Sequence, residues 1–231
     1  MFAEPEQPPQ RGFQSHHGSN MKVQARESWY DRYVLPYLID IACNIKAVRR
    51  QRRKVVPLAR GLVLEIGIGT GLNLEYYDKT TVERIVGLDP GLAMHHLAQK
   101  RVEEAGLTVE LVGLSAEMVP FAAGTFDTVV VTYSLCTIPD PAAALNEMRR
   151  VLKGGGKLIF CEHGLAPDSS VRRWQVRLTP LWSRLAGGCH LNRDIPALLK
   201  EAGFRSEDME TMYLPGPRLL TYNYWGTAEA G

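Results

Sequence analysis

A doubly wound α/β fold, with a mostly parallel sheet of seven strands covered by helices on both faces, is what this sequence predicts. Three observations carry it. Short apolar runs alternate with helix-compatible stretches from residue 61 to residue 203, the rhythm of βαβ units. The first run (Val63, Leu64, Ile66) breaks straight into glycines at 67, 69 and 71. At 231 residues, 45% hydrophobic and 23% charged, the chain suits one domain with a sizeable core.

The elements follow in order. Residues 1–24, rich in Pro, Gln and Gly and without an apolar signal-peptide core, read as a disordered leader. Met21 offers an alternative start within it, and His16 and His17 make a poor metal site there. The single domain then spans 25–231, as a helical cap (25–56), a ligand-binding core (57–163) and a C-terminal segment (164–231). In the cap, apolar residues recur at 30, 33, 34, 37, 38, 41, 42 and 45, a helical stripe that Pro36 should kink or split. It ends in Lys46, Arg49, Arg50, Arg52, Arg53 and Lys54. Two readings are open: a solvated helix end favoured by the helix dipole, or a surface for an anionic membrane or substrate.

Strands are expected at 62–66, 84–89, 108–112, 127–132 and 156–161, and helices at 70–77, 91–105, 141–152 and 192–203. The tail adds strands near 205–213 and 218–227 through the turn "LPGPR", both antiparallel to their neighbours. The formal charge of +2 is too small for a nucleic-acid binder. No run approaches the roughly 18 apolar residues that span a bilayer. Cys43, Cys136, Cys161 and Cys189 lie far apart with no CxxC pair, so they read neither as a zinc site nor as a disulfide framework. A cytoplasmic location is the default.

Strand, glycine turn and helix start make a place where backbone approaches a ligand; a tight turn and a nucleotide-like cofactor site are the two readings. The dinucleotide fingerprint needs a third glycine where this chain has Leu72. Glu65 and the glycines instead spell E-x-G-x-G-x-G, which resembles motif I of the class I S-adenosylmethionine-dependent methyltransferases. The resemblance continues through "RIVGLDP", "LSAEMVPFAAGTFDTVVV" and "ALNEMRRVLKGGGKLIFCEHG", over about residues 61 to 163. It implies a Rossmann-like sheet of order 3-2-1-4-5-7-6 and S-adenosylmethionine as cofactor, with S-adenosylhomocysteine as product. The cofactor residues it implies are Glu65, Gly67, Gly69, Gly71, Asp89, Pro90, Ser115, Ala116, Glu117 and Thr132. Asp89 would accept from the ribose hydroxyls, or cap the helix that Pro90 opens. Ser115 stands where many relatives have aspartate, so backbone contacts from Ala116 carry more of the adenine recognition.

The acceptor side belongs at the carboxyl ends of the strands, which points to Tyr133, Ser134, Cys136, Glu162 and His163, and to Cys189 and His190. Tyr133, His163 and His190 are the catalytic candidates; for each histidine a purely structural hydrogen-bonded role stands beside a proton-transfer role. "SLCTIPDP", "RWQ" and "GGCHLNRDI" followed by "AGF" resemble the methyltransferase-like protein 7 group and its bacterial relatives. Its animal members are thiol S-methyltransferases tethered to membranes by an apolar N-terminus. The resemblance thus implies a small apolar thiol as methyl acceptor and no metal. Phospholipid N-methylation, quinone-ring C-methylation and a non-enzymatic cofactor sensor are the alternatives. A peripheral membrane contact through Lys46–Lys54 accompanies the phospholipid reading.

Overall fold

The structure, a computed structural model, describes residue 30, residues 33–206 and residues 208–231. The expected leader, with His16 and His17, lies outside them. The sheet is built from β1 (Gly61–Ile66), β2 (Val82–Leu88), β3 (Val109–Val112), β4 (Phe126–Thr132), β5 (Leu152–His163), β6 (Phe204–Arg205), β7 (Glu210–Tyr213) and β8 (Tyr222–Ala230). The helices are α1 (Leu35–Cys43), α2 (Lys46–Val55), α3 (Leu92–Ala105), α4 (Pro141–Val151), α5 (Ser169–Leu185) and α6 (Ile195–Glu201).

Strand order is β3-β2-β1-β4-β5-β8-β6, with β7 also paired to β8. The first five strands are parallel, and β8 runs antiparallel to β5, β6 and β7. The count is therefore eight against the seven expected. The reason is local: the strand expected at 205–213 is interrupted, and its two pieces pair with opposite ends of β8. Taken as one broken strand, they restore the expected order.

Alternation along β1 sorts side chains between two cores, because both faces of a parallel sheet are covered. Leu64 and Ile66 join Val129, Val131, Leu145 and Met148 on one face. Val63 joins Val55, Ile85, Val130 and Ile159 on the other. Asp140 starts α4 by accepting from the Ala143 N–H at 3.0 Å, with Pro141 in the first turn, where its missing N–H costs nothing.

Three points depart from expectation, and one holds. Residues 70–77 hold turns and one short 3₁₀ segment (Leu74–Tyr76) rather than a helix; Asn73 and Tyr77 there turn inward to the Glu65 carboxylate. The split expected at Pro36 is present: Tyr33 is helical, Val34 is a turn, and Pro36 sits in the first turn of the new helix α1, with a second break at Asn44–Ile45. The helix expected at 192–203 runs only Ile195–Glu201, capped by Asp194, which accepts from the Ala197 N–H at 3.1 Å. Helix α5 was not anticipated, since Pro180 and scattered arginines blur its stripe. It is pinned by buried Gln175, which donates to the Gly164 and Leu219 carbonyls at 3.1 Å each and accepts from the Ala166 N–H at 2.9 Å.

The basic run forms α2, and only part of it is solvated. Val48, Gln51, Arg52 and Val55 are buried, and the Lys54 ammonium sits 3.7 Å from the Trp225 ring centroid. Among the described residues, no helix is long and apolar enough to cross a membrane.

Candidate active site

The sheet order reverses between β1 and β4, and the crevice at such a switch point opens at the carboxyl ends of the strands. A cavity of about 350 Å³ lies there, with Gly67, Gly69, Asp89, Ser115, Thr132 and Tyr133 in its walls and α1 as its roof. Helix α1 is held over the glycine loop by Asp40. Its carboxylate accepts from Arg101 Nη1 at 2.8 Å and from Thr70 Oγ1 at 2.5 Å. These donors outweigh burial and hold the Asp40 carboxyl below its usual range.

The glycines are required by geometry. Gly67 has φ +67°, and a Cβ there would lie 2.1 Å from Ser134 Oγ. Gly69 has φ +54°, and a Cβ would meet only the Gly67 carbonyl at 3.8 Å, so its exposed side is the cavity itself. A ligand can thus lie directly on the backbone. Gly71, at φ +80°, packs instead toward Leu74, Ala98 and Arg101.

Asp89 accepts the Gly69 N–H on Oδ2 at 3.0 Å and the Gly91 N–H on Oδ1 at 2.8 Å. Burial raises its carboxyl above the ordinary value against both donors. Each oxygen keeps a further lone pair, and the residue lines the cavity beside Pro90. Ser115, Ala116 and Glu117 form the opposite rim; Ser115 Oγ bonds the Glu117 carboxylate, whose other oxygen accepts the Asp140 N–H at 3.2 Å.

Glu65 is buried and does not line the cavity. It accepts from Asn73 Nδ2 at 2.9 Å and Tyr77 Oη at 2.8 Å. Burial lifts its carboxyl to about 7, with the Tyr77 and Asn73 bonds and the nearby Arg52 charge opposing. Arg52 donates to Asn73 Oδ1 at 2.6 Å and to Thr132 Oγ1 at 2.5 Å. It lies 5.2 Å over the Tyr133 ring, and its Nε is buried with no partner. One network therefore runs Glu65–Asn73–Arg52–Thr132, and its last two members line the cavity.

Tyr133, at φ +53°, is the one non-glycine with positive φ among the described residues, strain of a kind that gathers at functional sites. Its ring lines the cavity, but its hydroxyl donates to Asn223 Oδ1 at 2.7 Å. Burial pushes that hydroxyl well above its ordinary pKa. Glu162, fully buried, accepts the Ser134 and Leu135 N–H groups at 2.8 and 3.2 Å and so shapes the loop after β4; burial lifts it to about 7.

Neither histidine candidate lines the cavity. His163 is buried at the end of β5, with Nε2 3.8 Å from Cys189 Sγ. Burial works against its charged form, but Cys189 outweighs that and raises its pKa. Hydrogen bonds with Cys136 and His163 bring the Cys189 thiol down to about 4 despite its burial. His190 latches two loops. Its backbone N–H donates to the Cys136 carbonyl at 2.8 Å, and its Nδ1 lies 2.7 Å from the Gly188 carbonyl.

Sequence reasoning missed Arg52, Asn73, Thr70 and Asp40. For Arg52 a signal existed: four residues past Val48 and three before Val55, it falls on the helix face that those valines bury. Asp40 and Thr70 carried none, since their pairing joins segments 30 residues apart.

The residues present fit S-adenosylmethionine. A backbone shelf at Gly69, an acidic partner at Asp89 and a buried cation at Arg52 line one cavity. A family model described as "Methyltransferase domain" matches residues 64–160. The thiol S-methyltransferase TMT1B of Rattus norvegicus is 34% identical over 204 residues, covering 80% of this chain and 83% of that protein. A phosphatidylethanolamine N-methyltransferase of Cereibacter sphaeroides is 32% identical over 145 residues, 62% of this chain and 70% of that one. A solved SAM-dependent methyltransferase from Methanosarcina mazei superposes with TM-score 0.57 at 21% identity, covering 72% of this chain and 91% of that one. The chain belongs to the class I S-adenosylmethionine-dependent methyltransferases, in the group that includes the TMT1 thiol S-methyltransferases.

Proposed function

We propose that the protein methylates the sulfur of a small, largely apolar thiol. The carrying observation is the acceptor wall. Leu35 and Ile39 of α1, with Cys43, Tyr133 and Ile138, present apolar surface. The charge beside that wall is the Arg52 cation, while the carboxylates that line the cavity, Asp89 and Glu117, stand at the cofactor rim. An ammonium acceptor would be desolvated beside a cation, which is costly; a neutral thiol would not. The similarity to TMT1B supports the same reading.

When bound, S-adenosylmethionine supplies an electrophilic methyl group on a sulfonium, so the protein's work is alignment. Asp89 would hold the ribose hydroxyls with its remaining lone pairs. Arg52, oriented by Asn73 and Thr132, would hold the cofactor's carboxylate, and Glu65 would act through that network rather than by contact. Ser115, Ala116 and Glu117 border the adenine, and Gly67 and Gly69 let the methionine portion rest on the backbone, with Gly71 closing the turn behind them. Tyr133 walls the acceptor site; its tied, high-pKa hydroxyl makes it a poor base at neutral pH.

A second reading, phospholipid N-methylation, has its own observation. Leu38, Ile41 and Ile45 in the α1 region and Leu181 and Leu185 on α5 are exposed, and Tyr30 Oη donates to the Leu185 carbonyl between them at 3.4 Å. Lys46, Arg50 and Arg53 follow in the next helix, α2, where they line a shallow groove of their own. Apolar residues beside cations suit the cytoplasmic surface of an anionic bilayer. A labelled-methyl assay over apolar thiols, phospholipid head groups and quinol precursors, with and without anionic vesicles, separates the readings. Transfer to thiols is expected. Transfer confined to phospholipid and stimulated by vesicles overturns the thiol assignment.

A further inference from the structure

Three ligand-type side chains that lie far apart in sequence meet behind the acceptor wall. Cys136 follows β4, His163 ends β5, and Cys189 sits in the loop after α5. Their Sγ, nitrogen and Sγ atoms all lie within 4.8 Å of one another. The sequence spacing had argued against a zinc site because no CxxC pair exists; the sheet supplies the proximity that the spacing hid. We propose that Cys136, His163 and Cys189 form a site for a borderline-soft divalent cation, zinc by its chemistry.

Distances support this. Zinc bonds of about 2.3 Å to sulfur and 2.0–2.1 Å to nitrogen place tetrahedral ligands roughly 3.5–3.8 Å apart. Cys189 Sγ and His163 Nε2 are already 3.8 Å apart, so closure needs shifts of at most about 1.2 Å at the remaining edges. Two sulfurs and an imidazole exclude calcium and magnesium, which take oxygen ligands. The loops that carry the two cysteines are fastened before any ion arrives. The His190 N–H holds the Cys136 carbonyl at 2.8 Å, and its ring meets the Gly188 carbonyl at 2.7 Å. Cys136 and His163 are buried, and Cys189 is half-buried, so the set is shielded from bulk water.

Three protein ligands leave one position open, the arrangement of reactive rather than structural zinc. The three ligands lie outside the cavity lining, but their neighbours reach it: Thr137 follows Cys136, Gly187 lies two residues before Cys189, and Cys43 adds its thiol. Metal uptake would release two protons, one from Cys136 and one from the Cys189–His163 pair. The open position would then hold the acceptor thiol as thiolate, its proton going to solvent, and methyl transfer would form the S–C bond to the acceptor and break the one in the sulfonium, the thioether product being a weak ligand. This role rests on the thiol reading; the metal site does not.

The test uses the whole chain, reduced with a phosphine and titrated with Co²⁺ as a spectroscopic probe. One cobalt per chain is expected, with thiolate charge-transfer bands and the intense visible bands of a four-coordinate site. Cys136→Ser, Cys189→Ser and His163→Ala should each weaken cobalt at least about tenfold, while calorimetry with S-adenosylhomocysteine confirms that each variant is folded. No stoichiometric uptake by a chain that still binds S-adenosylhomocysteine overturns the site, and so does a spectrum unchanged in Cys189→Ser. A Cys136–Cys189 pair that only cycles to a disulfide, without cobalt uptake once reduced, overturns it too. Adding a small apolar thiol should shift the visible bands; unshifted bands overturn the activating role. An intact cobalt site in a chain that methylates no thiol sinks the thiol reading and leaves the site standing.

Discussion

Replacing Arg52 with methionine keeps most of the stem and its packing but removes the charge and two hydrogen bonds, to Asn73 Oδ1 at 2.6 Å and Thr132 Oγ1 at 2.5 Å. Hydrogen bonds to charged groups contribute about 1.5–3 kcal/mol each, so the apo protein should lose on the order of 3–6 kcal/mol. At this chain length each kcal/mol corresponds to about 2–4 °C, and the expected fall in Tm is roughly 10 °C. Thr132 Oγ1 keeps its bond from Asn73 Nδ2 at 3.0 Å, which limits the damage; the Asn73 carbonyl is the group left bare. A second, separable effect is expected on the cofactor. If the guanidinium holds its carboxylate, calorimetry should show S-adenosylhomocysteine bound about ten- to a hundredfold more weakly, the equivalent of one charge-assisted bond. Arg52→Lys should recover stability in part and affinity less, since an ammonium cannot serve Asn73, Thr132 and a carboxylate in a fork. A destabilised variant with unchanged affinity would make Arg52 a brace only. A variant normal in both measurements would refute the network.

Asp89→Ala should weaken S-adenosylhomocysteine about ten- to a hundredfold by calorimetry, beyond the effect on Tm, because Asp89 also holds the Gly69 and Gly91 amides; equal affinity would remove it from the site. Gly67→Ala combines a φ of +67° with a Cβ placed 2.1 Å from Ser134 Oγ. It should lower Tm and abolish binding, and Ser134→Ala in the same chain should restore part of both. Glu65, lifted to about 7 by burial, holds a proton in the native state that the unfolded chain releases near 4.3. Its contribution to stability is therefore fully present below about 4.3 and is lost as pH rises to about 7. In urea unfolding, Glu65→Gln should gain on the parent between pH 5 and 7 by at most about 1.4 kcal/mol per pH unit, and a pH-independent difference would show that Glu65 is ionised throughout.

The central fold was legible because its signals are local and redundant. Leu64 and Ile66 alternate with Val63 and Glu65, and the glycines mark where β1 must turn under a ligand. Asp89 could be found because it ends the next strand at a fixed distance. What stayed hidden depends on segments meeting in space. Arg52 looked like one more cation in a solvated run, and only the docking of α2 turns it inward onto Asn73 and Thr132. Residues 70–77 have helix-compatible composition, but Asn73 and Tyr77 are recruited by a buried carboxylate, and that tertiary demand overrides propensity. The cysteines looked unrelated until β4, β5 and the loop after α5 brought two of them to one histidine.

The nine residues of α1 have two audiences. Leu35, Ile39 and Cys43 close the cavity from above, whereas Tyr37, Leu38 and Ile41 look outward. The helix is moored by Asp40 to Thr70 and Arg101, one on the glycine loop and one on α3. One carboxylate thus ties the ceiling of the site to both the turn beneath it and the helix beside it, and Asp40→Ala should unsettle that ceiling while leaving Asp89 and its amide contacts in place. The same nine residues are at once a wall of the cavity and part of the protein's outer face.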